Sequence, residues 1–568
     1  MHVILILIIT SLGYYIAYHT YGRYLATKIF QINPERPVPS ISKADGKEYV
    51  ASDKQVMFGH HFTSIAGTGP IVGPAIGVIW GWLPALLWVF FGSILMGAVH
   101  DFSVLVISMR NEGKSIAEIA DKYCNKRVQL MFFIIVFLAL LIVIAIFGLV
   151  IAIIFAKFPQ SVIPVWAEIP IAIALSFAVF KKGKSLQKGT LIAVIIMAIT
   201  VGVGAFFPIQ MPAISGVPMT GVWTIILLTY AYFASILPVQ ILLQPRDYIN
   251  AWQLYISLGL IVLGLVLTAL VNGMPMPAPM INPDPVGAPS MWPFLFITIA
   301  CGAISGFHSL VCSGTSSKQI KSESDAQYVG YGAMLTEAFL ATVMIIAVTA
   351  GLGLSYITKT GATLTGKAAW LTHYGSWTAS SGLGSKLDAV VVGCSNMMSI
   401  LGISPFIGIT IVGVFIASFA GTTLDSATRV QRYVITEFMG VTGMKKWANK
   451  WLATGLAVVS AALLAFSSGA NGKGALLLWP MFGAVNQLLG GLALMIATAY
   501  LHKKGGVKWL VTAIPCVGLM SMTLWASILN QVKFNTSNNI VVGSLNLIIM
   551  GLAMIISVEI LIIVTKKA

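Results

Sequence analysis

The segment Gly59–Pro74, GHHFTSIAGTGPIVGP, limits the fold of this chain more than any other. It lies in an apolar stretch, Phe58–Trp80, long enough to cross a bilayer, yet Gly67, Gly69, Pro70, Gly73 and Pro74 fall within eight residues. Proline removes a backbone donor and clashes with the preceding turn, and glycine is a poor helix former. A helix interrupted there would leave backbone polar groups unpaired in hydrocarbon, which is tolerated only where the backbone is buried in protein or lines a wet cavity. Secondary transporters place substrate and ion sites at such breaks. Gly67, Thr68, Gly69 and Pro70 are therefore candidate substrate-binding positions.

The surrounding chain fits this reading. Hydrophobic residues make up 57% of the 568 and charged residues 9%, where a soluble protein carries about a quarter charged. The composition defines an all-α polytopic membrane protein. A net charge of +16 is accounted for by Lys and Arg collecting in inner loops, not by nucleic-acid binding. Cys124, Cys301, Cys312, Cys394 and Cys516 show no paired spacing and read as small core residues. No HExxH-type or catalytic motif occurs, so neither an enzyme nor a cofactor is expected. His60, His61 and His100 are the weak metal candidates, since imidazole is a common ligand.

Fifteen apolar windows mark spans, from Val3–Tyr21 to Ile540–Val564. Residues 387–399 are too short to cross and read as re-entrant or interfacial. With the N-terminus outside, only Lys157, Lys359, Lys367, Lys386, Lys473 and Lys533 of the 34 Lys and Arg fall in outer loops. This bias places the C-terminus in the cytoplasm. The division that follows is a first span with a cytoplasmic linker (1–57), a core (58–435) and peripheral C-terminal spans (436–568).

Charges inside spans are costly and functional by default. Asp101 in span 3 is expected near the depth of the span-2 break, beside His100, as a proton or ion site or as a structural carboxylate that caps loose backbone amides at the break. Glu337 has no sequence-local partner and is a second proton-transfer candidate. Asp425 and Arg429 are four apart on one helical face and are expected to pair, as a gate or a structural contact. Span 7 contains Tyr232 and Ser235, expected to shape a substrate pocket, and Pro238, expected to break the helix. Span 9 carries His308 and a run of hydroxyls including Ser313 and Thr315, suited to Na⁺, a proton site or a polar substrate, or to packing of small residues.

Several of these pieces carry a family likeness. They are His60-His61-Phe62 through Gly73-Pro74, Gly97–Phe102, Leu237-Pro238 with Pro245-Arg246-Asp247-Tyr248, Trp292 through His308, Tyr331–Met334, Thr422–Asp425, and Trp479-Pro480 with Asn486–Leu489. In this order they resemble the carbon starvation protein A family of bacterial inner-membrane transporters. The resemblance implies import of peptides or pyruvate, with proton coupling, across the bacterial inner membrane. It implies a LeuT-like core of two inverted five-helix repeats within about 15 helices. A break in span 7 would place those repeats at about 58–208 and 219–435, while pairing spans 2 and 9 as the broken helices would give a larger repeat. Where members of the family often have Gln, this chain has His100. Na⁺-coupled symport of another carboxylate or an amino acid, and a channel, stay open as alternatives. The sequence leaves the oligomeric state undetermined.

Overall fold

The structure, a computed structural model, describes residues 2–537 and 539–565. Among the described residues, twelve helices are long and apolar enough to cross a membrane, and one bent pair adds a thirteenth. In chain order the helices are α1 (Val3–Ile29), the bent pair α2 (Lys54–Ala66) and α3 (Gly69–Gly77), α4 (Trp82–Met109), α5 (Lys126–Lys157), α6 (Pro159–Val179), α7 (Leu186–Phe206), α8 (Met219–Ile236) and α9 (Leu243–Val271). There follow α10 (Met291–Thr298), α11 (Gly306–Gly314), α12 (Glu323–Gly351), α13 (Leu383–Met398), α14 (Pro405–Val441), α15 (Lys450–Ala465), α16 (Trp479–His502), α17 (Leu510–Thr536) and α18 (Ile540–Thr565).

The break expected in span 2 is present. The axis turns by 43° between α2 and α3. Gly67 sits at φ +44°, and a Cβ there would lie 2.5 Å from Thr423 Oγ1, so both the conformation and the space require glycine. Pro70 opens α3 at the first turn, where its missing N–H costs nothing.

Span 7 is not broken. Helix α8 runs without interruption to Ile236, and Leu237 then takes an extended conformation (ψ 146°). Pro238 ends the helix because proline disfavours helical geometry in the residue before it. The second interruption falls in span 9, where residues 299–305 separate α10 from α11. Its backbone is tied down from three sides. Trp88 Nε1 donates to Ile299 O (2.9 Å), the Gly302 N–H to Glu337 Oε1 (3.0 Å), and the Phe307 N–H to Asn486 Oδ1 (2.9 Å). These bonds replace the helical ones that hydrocarbon would leave unmade.

The packing around the two breaks is reciprocal. Helix α3 packs on α12 and α11 on α4; α2 packs on α9 and α11 on α16. Helix α8 lies on α5 and α15 on α14, with α5 against α14 between them. The linker after α1 forms no separate domain. Residues 45–53 lie against the end of the bundle that holds residues 316–320, where the Val50 N–H donates to Lys318 O (3.2 Å) and the Ser52 N–H to Gln319 O (2.9 Å). This end is called the linker face below.

Candidate functional site

A cavity of about 440 Å³ descends from the opposite face to the two breaks. Thr68 and Gly69 at the start of α3, and Ala300 and Cys301 between α10 and α11, form its inner part. The walls are apolar: Val72 and Ile76, Ile146 and Phe147 of α5, Phe294 and Ile297, and Phe482 of α16. Trp377 and Lys533 stand toward the mouth. Among the described lining residues, Lys533 carries the one formal charge. The positive end of the α3 dipole meets the cavity at Gly69.

Beside Cys301 lies a fully buried chain of titratable groups. Asp101 of α4 accepts from His100 Nδ1 (2.7 Å) on one oxygen and from His308 Nδ1 (2.9 Å) on the other. His308 Nε2 faces Glu337 Oε2 at 3.3 Å. Helix α11 thus carries an imidazole between carboxylates from α4 and α12, two helices that pack against the breaks. His308 is fully buried and does not itself line the cavity; its ring bonds Asp101 and faces Glu337, next to the lining residue Cys301. His61 Nδ1 reaches Ser316 Oγ (2.8 Å), while its neighbour His60 turns to Asp247 Oδ2 (2.5 Å).

A second buried network lies across α6, α8, α9 and α14. Arg246 Nε donates to Glu168 Oε1 (3.1 Å), and its Nη1 donates to the Tyr230 hydroxyl (2.7 Å) and to Asp425 Oδ2. Asp425 therefore does not pair with Arg429. Being on one helical face was not enough, because each side chain meets a partner on another element, Arg246 for Asp425 and Glu48 for Arg429. Arg429 Nη2 instead donates to the carbonyls of Ala234 (3.1 Å) and Leu237 (2.6 Å), satisfying the end of α8 that Pro238 leaves open. Its Nη1 reaches Glu48 Oε2 of the linker (3.2 Å), where Arg432 and the Tyr433 hydroxyl also bond.

The remaining expected positions separate. Thr68 and Gly69 line the cavity, whereas Gly67 and Pro70 shape the break behind it. Tyr232 contacts Trp451 and Ser235 donates to Tyr232 O (3.2 Å); neither reaches the cavity. Ser313 Oγ donates to Ser309 O (2.7 Å) and accepts the Ile116 N–H (3.1 Å), and Thr315 Oγ1 donates to Val311 O (3.1 Å); neither residue lines the cavity. Residues 387–399 fall mostly within α13, a mostly buried 16-residue helix that packs on α14. Glu168 and Cys301 were absent from the expected site. Glu168 was legible as a lone carboxylate in an apolar window.

Two breaks facing one cavity within a helical bundle define a membrane protein of the transporter-fold class. The structure is similar to that of a manganese transporter of Eremococcus coleocola (TM-score 0.54, 10% identity, covering 92% of this chain and 99% of that one). At that identity the likeness concerns the fold. The profile of the family "Carbon starvation protein CstA" matches residues 2–526. The chain is 31% identical to the peptide transporter CstA of Campylobacter jejuni, covering 93% of this chain and 80% of that protein. It is also 31% identical to the pyruvate/proton symporter BtsT of Escherichia coli, covering 90% and 79%. The chain belongs to the CstA family.

Proposed function

We propose that this chain is a proton-coupled importer of a small monocarboxylate of the pyruvate type, working by alternating access in a bacterial cytoplasmic membrane. The observation that carries the substrate choice is the cavity lining. It offers the positive end of α3 for a carboxylate, apolar walls for the rest, and no acidic side chain among the described lining residues for an ammonium group. A zwitterionic peptide would bury its amino group there without a counter-charge, which is costly. The relatives' printed substrates, peptides and pyruvate, both contain the carboxylate.

The coupling proton is assigned to Asp101, His308 and Glu337, with His100 supporting Asp101. Their burial beside both breaks lets protonation act on the helices that must move. Two repeats are proposed, regrouped around the breaks in spans 2 and 9: α2–α5 with α8 and α9, and α10–α12 with α14–α16. Helices α6, α7 and α13 are insertions, and α1, α17 and α18 are peripheral. If α10–α11 and α15 each cross, the spans number fifteen. This puts the linker face in the cytoplasm and the N-terminus outside; the basic C-terminal residues 566–568 lie outside the described residues.

Proteoliposomes with an inward proton gradient and no Na⁺ test this reading. Labelled pyruvate is expected to accumulate several-fold and to leave when a protonophore is added. Accumulation of a labelled dipeptide instead would overturn the substrate choice. Accumulation only with Na⁺ would overturn the coupling ion.

In this reading the linker closes the cytoplasmic side. Burial alone would raise the Glu48 carboxyl, but Arg429, Arg432 and the Tyr433 hydroxyl hold it below the ordinary glutamate range. A depressed value means the contact is fully present above the ordinary pKa and is lost only as pH falls through the lowered one. It therefore stays intact between pH 5 and 8, the range in which histidine titrates. Glu48→Gln removes charge-assisted bonds of about 1.5–3 kcal/mol. Tryptic cleavage at Lys47 and Lys54 is expected to accelerate about tenfold or more. Unchanged cleavage would mean that Glu48 does not hold the linker.

A further inference from the structure

The atoms around His308 have the form of a metal site. Cys301 Sγ, a ring nitrogen of His308 and a carboxylate oxygen of Glu337 all lie within 4.8 Å of one another. His308 Nε2 and Glu337 Oε2 are fully buried, and neither makes a hydrogen bond. Their 3.3 Å separation is long for an N–H···O bond. It matches the roughly 3.3 Å edge of a tetrahedron whose metal–ligand distances are about 2.0–2.1 Å, the values for zinc with His and carboxylate.

The groups behind these atoms complete the pattern. His308 Nδ1 is held by Asp101 Oδ2 at 2.9 Å. This carboxylate–histidine arrangement fixes the tautomer that leaves Nε2 free for a metal. The other oxygen of Glu337 accepts the Gly302 N–H at 3.0 Å, which fixes the carboxylate. Cys301 is half-buried and lines the cavity, so an ion has an entry path. The donor Asn486 Nδ2 stands 3.7 Å from the Cys301 sulfur.

We propose that Cys301, His308 and Glu337 bind one divalent ion of the zinc class, entering from the cavity. One thiolate, one imidazole and one carboxylate suit a borderline-soft ion that accepts four ligands; Mg²⁺ and Ca²⁺ call for oxygen donors. The bound ion would take Nε2 and Oε2 away from protons. If the proton reading above is also right, external Zn²⁺ therefore blocks uptake. Binding itself does not depend on that reading and is measured without substrate or gradient.

The test uses the full-length, untagged protein in nanodiscs, stripped with a chelator and dialysed against Zn²⁺ and, separately, Co²⁺. Wild type is expected to retain one equivalent of Zn²⁺, and its Co²⁺ form to show a thiolate charge-transfer band. Cys301→Ser is expected to lose that band and to weaken Zn²⁺ binding at least tenfold. Asp101→Asn, which touches the ion only through His308, is expected to weaken it about 10–100-fold. Thermal unfolding of each variant shows that it is folded, and Cys312→Ser, at a cysteine outside the trio, controls for adventitious thiol binding. No retained ion in wild type overturns the proposal, as does binding unchanged in a folded Cys301→Ser variant. Loss of the band in Cys312→Ser but not in Cys301→Ser would also overturn it, by moving the site to His61, Asp101 and Cys312.

Discussion

Asp101→Asn is expected to reduce gradient-driven accumulation at least about a hundredfold while leaving substrate exchange within a few-fold of wild type. The carboxylate accepts from two imidazoles at once, His100 at 2.7 Å and His308 at 2.9 Å, and all three side chains are fully buried. Asparagine keeps the shape but removes the charge and offers one imidazole a donor in place of an acceptor. A buried charge-assisted bond of about 3 kcal/mol corresponds to a factor of roughly 150 in an equilibrium. Coupling depends on that equilibrium, because a proton drives transport only if it is bound differently in the two states. Exchange of substrate at constant protonation makes no such demand. The measurement is a pair of proteoliposome assays on one preparation: accumulation under a proton gradient, and counterflow at equal pH. Intact accumulation would remove Asp101 from coupling. Equal loss of both activities would make it a structural residue. His308→Gln and Glu337→Gln are expected to give the same split, since groups acting as one unit are not additive.

The break at Gly67–Gly69 was legible because its determinants are local. Glycine and proline act on the backbone wherever they stand, and an apolar window supplies the context. The break between α10 and α11 was harder to read. It is held by Trp88, Glu337 and Asn486 from three other helices, and Gly302 and Ser305 alone do not forbid a helix. Pro238 shows the converse case. A proline near the end of an apolar window stops the helix as readily as it kinks one, and the choice depends on whether the freed carbonyls find a donor. Here Arg429, nearly 200 residues later, supplies it. Asp101 and Glu337 were identifiable one by one because intramembrane charge is costly. That His308 joins them was not, since the three lie on different helices and only the fold sets their distance. Cys301 was read as core because no partner spacing surrounds it in sequence. Its His and Glu neighbours come from elsewhere in the fold.

Arg246→Met is expected to destabilise the protein by about 3–5 kcal/mol, the usual result of leaving buried charge without its partner. The guanidinium is 2% exposed and meets Glu168, Asp425 and the Tyr230 hydroxyl. A Cβ at Gly421 would lie 2.3 Å from its Nη2, so the helix surface of α14 is cut back to admit it. Lysine is not expected to rescue the variant, because a point charge cannot bridge two carboxylates held on separate helices as the planar fork does. Thermal unfolding in detergent reads the loss directly. The triple variant Arg246→Met, Glu168→Gln, Asp425→Asn removes all three charges together and is expected to recover most of the stability, since a fully neutralised network leaves no uncompensated ion. Failure of the triple variant to recover would mean that the geometry of the charged network, and not the burial of unpaired charge, holds α6, α9 and α14 together. Uptake by a recovered triple variant then separates two roles. If transport returns with stability, the network is scaffolding for the helices around the first break. If stability returns alone, these charges must rearrange during the transport cycle, and the protein carries a second electrostatic element besides Asp101, His308 and Glu337.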